Sequence, residues 1–244
     1  MPFMTQAGRI TRENVPRLPD IAVPYKAENK TYTVYVLEHP PARVGIVFKQ
    51  KRKTQKGTWS KMPATVYRYK INVPWCYFLM RANKAGAITD TFLFFAPSKL
   101  LDVNGRVYLP LLPNIYPSAH ICNGTIRVNF EDPPLVKIVE AFRSFWSTPF
   151  TEETWTEDRN LIPPCFHSCE SNGYMIEYGW LRYIFEYWIN HDVYCVGQNS
   201  HPWGWKPFRP RSKGGHYGGF IETLDGIMQY ALNFDVKNHV PNNE

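Results

Sequence analysis

Between Tyr32 and Phe95 the chain runs in short stretches of alternating β-branched or aromatic and polar residues, each stopped by proline, glycine or a cluster of lysines. The stretches are Tyr32, Val34 and Val36; Val44, Ile46 and Phe48; Val66, Tyr67, Tyr69 and Ile71; Trp75 to Met80; and Ile88 to Phe95. A period of two is a strand signal, and strands this close in sequence pair as hairpins. Pro40-Pro41, the basic span Lys51 to Gly57, and Asn83 to Gly86 fall where hairpin connections are needed. The expectation is an antiparallel meander of about four strands. Residues 1–30, punctuated by Pro16, Pro19 and Pro24, read as a loose N-terminal arm.

After the strands comes a long span without periodicity, Ala96 to Thr125, containing Pro97, Pro110, Pro113 and Pro117. Ordered loops of such length are commonly functional. Asp132-Pro133-Pro134 then offers an N-cap and a proline start to a helix whose apolar positions Leu135, Ile138, Val139, Phe142 and Trp146 have helical spacing, and Pro149 ends it. Two further helices are expected, near Gly173 to Asn190 and near Phe220 to Phe234, separated by a glycine- and proline-rich span. The fold class is therefore α+β: a core over residues 31–155 followed by a mostly helical extension over 156–244.

With 44% hydrophobic residues, including 8 Trp, 15 Tyr and 15 Phe, the chain has far more to bury than a disordered one. Its richest apolar runs end within eight residues, well short of the roughly 18 that span a bilayer, so no membrane is expected. Residues 1–24 lack the apolar core of a signal peptide, which makes a cytoplasmic location the expectation. Five cysteines without a secretory signal argue for thiols or a metal rather than a disulfide scaffold.

The loop before the helix reads Leu111-Leu112-Pro113-Asn114-Ile115-Tyr116-Pro117-Ser118-Ala119-His120-Ile121-Cys122. This resembles the ubiquitin-conjugating enzymes, which carry a His-Pro-Asn tripeptide after a four-stranded meander and the catalytic cysteine eight residues beyond the asparagine. Pro113-Asn114 and Cys122 keep that spacing, and Leu112 stands in place of the histidine. Loss of that histidine is similar to the prokaryotic ubiquitin-conjugating-like branch that includes PRTRC system protein B. Members of that branch have paired aromatics and a Phe-Thr-His after the helix. Here the chain has Phe145-Trp146, then Phe150-Thr151, with Glu152 replacing the final histidine. The likeness covers about residues 31–155.

The resemblance implies a ubiquitin-conjugating-like fold in which Cys122 carries a ubiquitin-like protein as a thioester and passes it to an amine, with Asn114 stabilising the oxyanion or ordering the loop. It implies as partners a ubiquitin-like protein, a ThiF-like activating enzyme and a JAB-type peptidase, with no cofactor here because ATP is consumed by the activating enzyme. The residues make the same chemical sense unaided, since a loop thiolate can accept an acyl group and a side-chain amide can donate to an oxyanion. His120 and Arg127 are the neighbours in sequence suited to lower the thiol's pKa. Against this stands a semi-buried structural thiol, in which case the chain is an inactive adaptor that binds protein or nucleic acid.

Two other patterns compete. Cys165 and Cys169, with Cys195 and either His191 or His201, make an irregular zinc set that lacks the tight C-x-x-C knuckle. The net charge of +7 concentrates in Lys49, Lys51, Arg52, Lys53, Lys56 and Lys61 and in Lys206, Arg209, Arg211 and Lys213, acid-free runs that suit phosphates or an acidic protein face but read first as a solvated hairpin tip and a solvated loop. No phosphate-binding loop, dinucleotide fingerprint or Gly-x-Ser-x-Gly elbow is present, which argues against nucleotide, NAD and α/β-hydrolase chemistry.

Overall fold

A computed structural model describes residues 9–12, 22–50, 65–110, 112, 114–116, 118–122, 124, 126, 128–129, 131–151, 208–210 and 219–235. Seven strands and two helices lie among them: β1 (Arg9–Arg12), β2 (Ala22–Glu28), β3 (Tyr32–His39), β4 (Ala42–Gln50), β5 (Thr65–Val73), β6 (Trp75–Asn83), β7 (Ile88–Ala96), α1 (Pro134–Ser147) and α2 (Leu224–Leu232). The main sheet has the order β1-β2-β3-β6-β7 and is antiparallel throughout. Among the described strands, β4 and β5 pair with each other and with no other strand.

The expected hairpin turn at Pro40-Pro41 is instead a break in a longer ribbon. Tyr32 faces Asn83 and His39 faces Cys76 in the main sheet; beyond the prolines Ala42 faces Val73 and Gln50 faces Thr65. The register is unbroken, with no residue gained or lost on either side. One two-stranded ribbon is thus divided where Pro40, Pro41 and Pro74 withhold their N–H groups from the ladder. The two halves belong to separate sheets, so the expected meander of about four strands is a five-stranded sheet with a two-stranded ribbon continuing from β3 and β6.

A second correction concerns residues 1–30. Residues 22–28 form β2, with Val23, Tyr25 and Ala27 buried. Pro24 disguises the alternation in sequence, and the register between β2 and β3 shifts between Ala22 and Tyr25 to accommodate it.

Both faces of the main sheet are covered. Cys76, Phe78 and Met80 of β6 and Leu93 and Phe95 of β7 join Ile138, Phe142 and Phe145 of α1 in one core. Tyr77 and Leu79 of β6 and Phe92, Phe94 and Ala96 of β7 join Leu224, Ile227, Met228 and Ala231 of α2 in another. This explains why β6 and β7 read as nearly continuous apolar runs despite being antiparallel. It also makes α2, read from sequence as part of an extension, a layer of the core. The other expected helix, 173–190, lies outside the described residues. α1 begins as expected at Pro134, but the cap position is Pro133 and no side chain caps it, so Asp132 does not fill that role. Thr223 does cap α2, accepting from the Gly226 N–H at 3.2 Å.

The long connection after β7 runs beside that strand's free edge. Phe95 and Tyr108 exchange backbone hydrogen bonds at 2.9 and 2.8 Å, and the Ile121 N–H donates to the Thr91 carbonyl at 2.8 Å. An exposed edge strand is thereby closed by the loop that bears Cys122. No described helix is long and apolar enough to cross a membrane.

Because both sheet faces are buried, Phe94→Ala and Phe95→Ala, neighbours that point into opposite cores, should each destabilise by about 3–5 kcal/mol in urea titrations. A sheet with one wet face would leave one of the two substitutions nearly neutral.

Candidate functional site

Residues 114–122 form a miniature hairpin. Ile115 bridges to Ile121, Tyr116 N–H donates to His120 O at 2.8 Å, Ala119 N–H to Tyr116 O at 2.8 Å, and Cys122 N–H to Asn114 O at 3.0 Å. The turn requires a left-handed residue at each of two places, Asn114 (φ 65°) and Ala119 (φ 62°). Asparagine tolerates that conformation and alanine resists it. Ala119 is held there because its methyl is completely buried in the α2 core.

Asn114 and Cys122, paired on spacing alone in the sequence, are therefore adjacent in space through their backbones. Cys122 is a half-buried thiol, with the exposed Gly124 beside its sulfur. Cys76 is its contrast: fully buried in the α1 core, with burial pushing its thiol well above the ordinary range. Leu112, where the resemblance would have a histidine, is buried among the apolar residues of the α1 core.

The Asn114 side chain is itself buried and engaged. Its Nδ2 donates to the Pro149 carbonyl at 3.2 Å, and its Oδ1 accepts from the Thr151 N–H at 3.1 Å and the Thr151 hydroxyl at 3.4 Å. It thus ties the cysteine hairpin to the segment that follows α1. That segment continues into a parallel bridge with β4, in which Phe150 N–H donates to Val47 O at 2.7 Å and Lys49 N–H to Phe150 O at 2.8 Å. The paired aromatics singled out in the sequence meet edge to face here, with the Phe145 ring 5.0 Å from Trp146 and 5.3 Å from Phe150.

His120 does not turn to Cys122. Its ring is 2% exposed, stacked between Tyr116 (5.9 Å) and Phe234 (5.3 Å), and its Nε2 lies 3.3 Å from Asp90 Oδ1. That contact has ion-pair distance but poor hydrogen-bond alignment, and neither ring nitrogen has a well-aligned partner. Asp90 faces Arg81 across β6 and β7 and is bound by its Nε (2.8 Å) and its Nη2. The Arg81 Nε–H is shared with Thr89 Oγ1 at 3.0 Å, Nη1 donates to the carbonyls of Ala231 (3.3 Å) and Phe234 (2.5 Å), and the guanidinium lies 4.3 Å over the Tyr32 ring. Sequence reading missed Arg81 and Asp90. The available signal was a charge of each sign set inside otherwise apolar strands.

Burial raises the Asp90 carboxyl, but the contact with His120, the Arg81 charge and Thr89 outweigh it and hold the pKa below the ordinary value. Tyr230, whose hydroxyl donates to Ser118 O at 3.2 Å, is pushed up, first by burial and then by the Asp90 charge.

Of the other candidates, Cys165, Cys169, Cys195, His191, His201 and Arg127 lie outside the described residues, as does the first basic run apart from Lys49. Among the described residues no group of three or more His, Cys, Asp or Glu side chains is placed to hold a metal.

The depressed Asp90 pKa fixes the sign of a pH dependence. An unfolded Asp titrates near 3.9 and the folded one lower, so between those values the unfolded state binds more protons. The Asp90 contribution is present above about pH 4 and is lost as the pH falls through the folded pKa. Urea midpoints measured from pH 5 down to pH 2.5 should fall more steeply for the native chain than for Asp90→Asn, which lacks the titrating group. Equal slopes would remove Asp90 as the cause.

No family model, curated protein or solved structure matches the chain.

Proposed function

We propose that this chain is a ubiquitin-conjugating-like carrier: Cys122 accepts the C-terminal acyl group of a ubiquitin-like protein as a thioester and passes it to an amine. The observation that carries the reading is the 3.0 Å bond from Cys122 N–H to Asn114 O, which sets a half-buried thiol beside the asparagine at the end of a fixed hairpin, between the last strand of the sheet and α1. The order of elements, strands then hairpin then helix, and the packing of Phe145, Trp146 and Phe150 behind the helix support it further.

In the loading step the Cys122 thiolate attacks the carbonyl carbon of a thioester on a ThiF-like activating enzyme. A new C–S bond forms, the old one breaks, and the activating enzyme's cysteine leaves as thiolate. In the transfer step an acceptor amine attacks the Cys122 thioester, passes through a tetrahedral oxyanion and expels the Cys122 thiolate, with the amine proton released to solvent. ATP is consumed upstream, so neither step calls for a cofactor on this chain. A JAB-type peptidase would process the ubiquitin-like partner.

Within this reading, the bonds from Asn114 to Pro149 and Thr151 favour the loop-ordering role over oxyanion donation. His120, enclosed with Asp90, holds the hairpin in place rather than activating the thiol. A second reading, a non-catalytic protein-binding adaptor on the same scaffold, draws on the same facts together with the apolar Leu112.

Incubation with a ThiF-like activating enzyme of demonstrated competence, its ubiquitin-like protein and ATP should give a thiol-sensitive adduct on a non-reducing gel. Cys122→Ala should abolish it completely. Absence of any adduct with the native chain would favour the adaptor.

Asn114→Ala separates the two roles of the asparagine. Loop ordering predicts a stability loss of about 1–3 kcal/mol, because the Thr151 N–H and the Pro149 carbonyl lose a buried partner, with loading of Cys122 retained. Oxyanion donation predicts, on top of the same stability loss, a fall of about 100- to 1,000-fold in aminolysis.

A further inference from the structure

β4 and β5 form a two-stranded ribbon with unlike faces. Ile46 and Phe48 on one face are buried against α1, with Ala42 and Val44 packed beside them. The intervening residues Arg43, Gly45, Lys49, Val66, Arg68 and Lys70 are exposed, and the register shows what they place together. Arg43 faces Asn72, Gly45 faces Lys70, Val47 faces Arg68 and Lys49 faces Val66. Every rung of the outer face therefore carries one cation, supplied in turn by Arg43, Lys70, Arg68 and Lys49, and all four are exposed. No carboxylate appears on these rungs, and none of the four is in an ion pair among the described residues.

The arrangement has a regular pitch. Same-face rungs are two residues apart, so the cations advance in steps of about 6.8 Å over about 20 Å. Gly45 lies inside the row, and a Cβ built there meets nothing within 4 Å, so the face is open above it. A periodic row of cations on an exposed ribbon fits a periodic polyanion. An acidic protein surface offers no such repeat.

We propose that this face binds the phosphate backbone of double-stranded DNA through Arg43, Lys70, Arg68 and Lys49. Successive phosphates of one B-form strand rise by about 3.4 Å each and also turn about the helix axis, so they lie about 7 Å apart through space and match the cation step of the ribbon. The B-form major groove is wide enough to take a two-stranded ribbon, whereas that of A-form RNA is deep and narrow. The net charge of +7 favours approach to any polyanion, and the ribbon supplies the local fit. This site is independent of Cys122 and stands whether or not the chain carries a thioester.

Four phosphate contacts predict that log K falls against log salt with a slope near −3.6. The test is fluorescence anisotropy of the full chain with a labelled mixed-sequence duplex of about 20 base pairs between 50 and 200 mM salt, the range over which phosphate contacts weaken most. Arg68→Glu with Lys70→Glu should weaken binding at least tenfold at the lower salt and flatten the slope by about 1.8. Lys30→Glu with Arg106→Glu makes the same change in net charge at exposed positions outside the ribbon and should leave most of the affinity in place. Gly45→Glu adds a carboxylate to the middle of the row without meeting a neighbour, and it should weaken binding while leaving the thermal melt unchanged. Three results would each overturn the proposal: no binding at 50 mM salt, equal losses in the ribbon and control variants, or equal affinity for an A-form RNA duplex, polyglutamate or anionic vesicles.

Discussion

A guanidinium and a carboxylate that face one another across β6 and β7 hold the sheet to α2. Arg81 and Asp90 are 4% and 3% exposed, so each charge depends on the other and on further hydrogen bonds to be tolerated inside. Asp90 can use only two of the donors of Arg81. Two more interactions reach the carbonyls of Ala231 and Phe234, at the end of α2, where a helix leaves its last acceptors unsatisfied. The second carboxylate oxygen faces His120. One ion pair thus fastens a sheet, the C-terminus of a helix and the hairpin that bears Cys122. Cutting either charge leaves the other buried and unpaired, which is why such pairs specify structure more than they add stability.

The ribbon break has an equally local cause. Three prolines interrupt one ladder at one level without changing its register, and the chain beyond them is released from the main sheet. Once released, the ribbon buries Ile46 and Phe48 of β4 in the α1 core and keeps Arg43, Lys49, Arg68 and Lys70 in water. The alternation of side chains then sorts cations from aromatics with no further device. Phe150, bridged to Phe48, fixes the ribbon to the end of α1 from the same side. The basic face and the cysteine hairpin are accordingly joined through one short segment, Pro149 to Thr151, which Asn114 grips.

Much of this was legible in the sequence because it is local. The period-two runs, the proline start of α1 and the helix ending near Phe234 follow from near-neighbour patterns, and the span from Asn114 to Cys122 is short enough for spacing to bring them together. What escaped depends on distant partners. A proline pair signals only that a ladder is interrupted, and Pro40-Pro41 interrupts it without reversing the chain. β2 was hidden because Pro24 is acceptable where the β2–β3 register slips, a fact belonging to the pair rather than to the strand. His120 sits two residues from Cys122 and seemed its natural activator, yet Asp90, thirty positions away, and the ring of Phe234 claim it.

The position of Cys122 follows from how its hairpin is held. Leu112, Ile115 and Ile121 enter the α1 core, while Ala119 enters the α2 core and His120 stacks on Phe234, so the segment is anchored from both sides of the sheet at the edge of β7. Ile121 is further pinned by its N–H bond to Thr91. The residue that follows the buried run Ser118 to Ile121 is half-buried, and it is the cysteine. Its placement is set by a backbone bond to Asn114, and a backbone bond survives replacement of the side chain. Substitution at Cys122 therefore changes the chemistry of the site while leaving the supports of the hairpin in place, which separates the role of the thiol from the integrity of the fold.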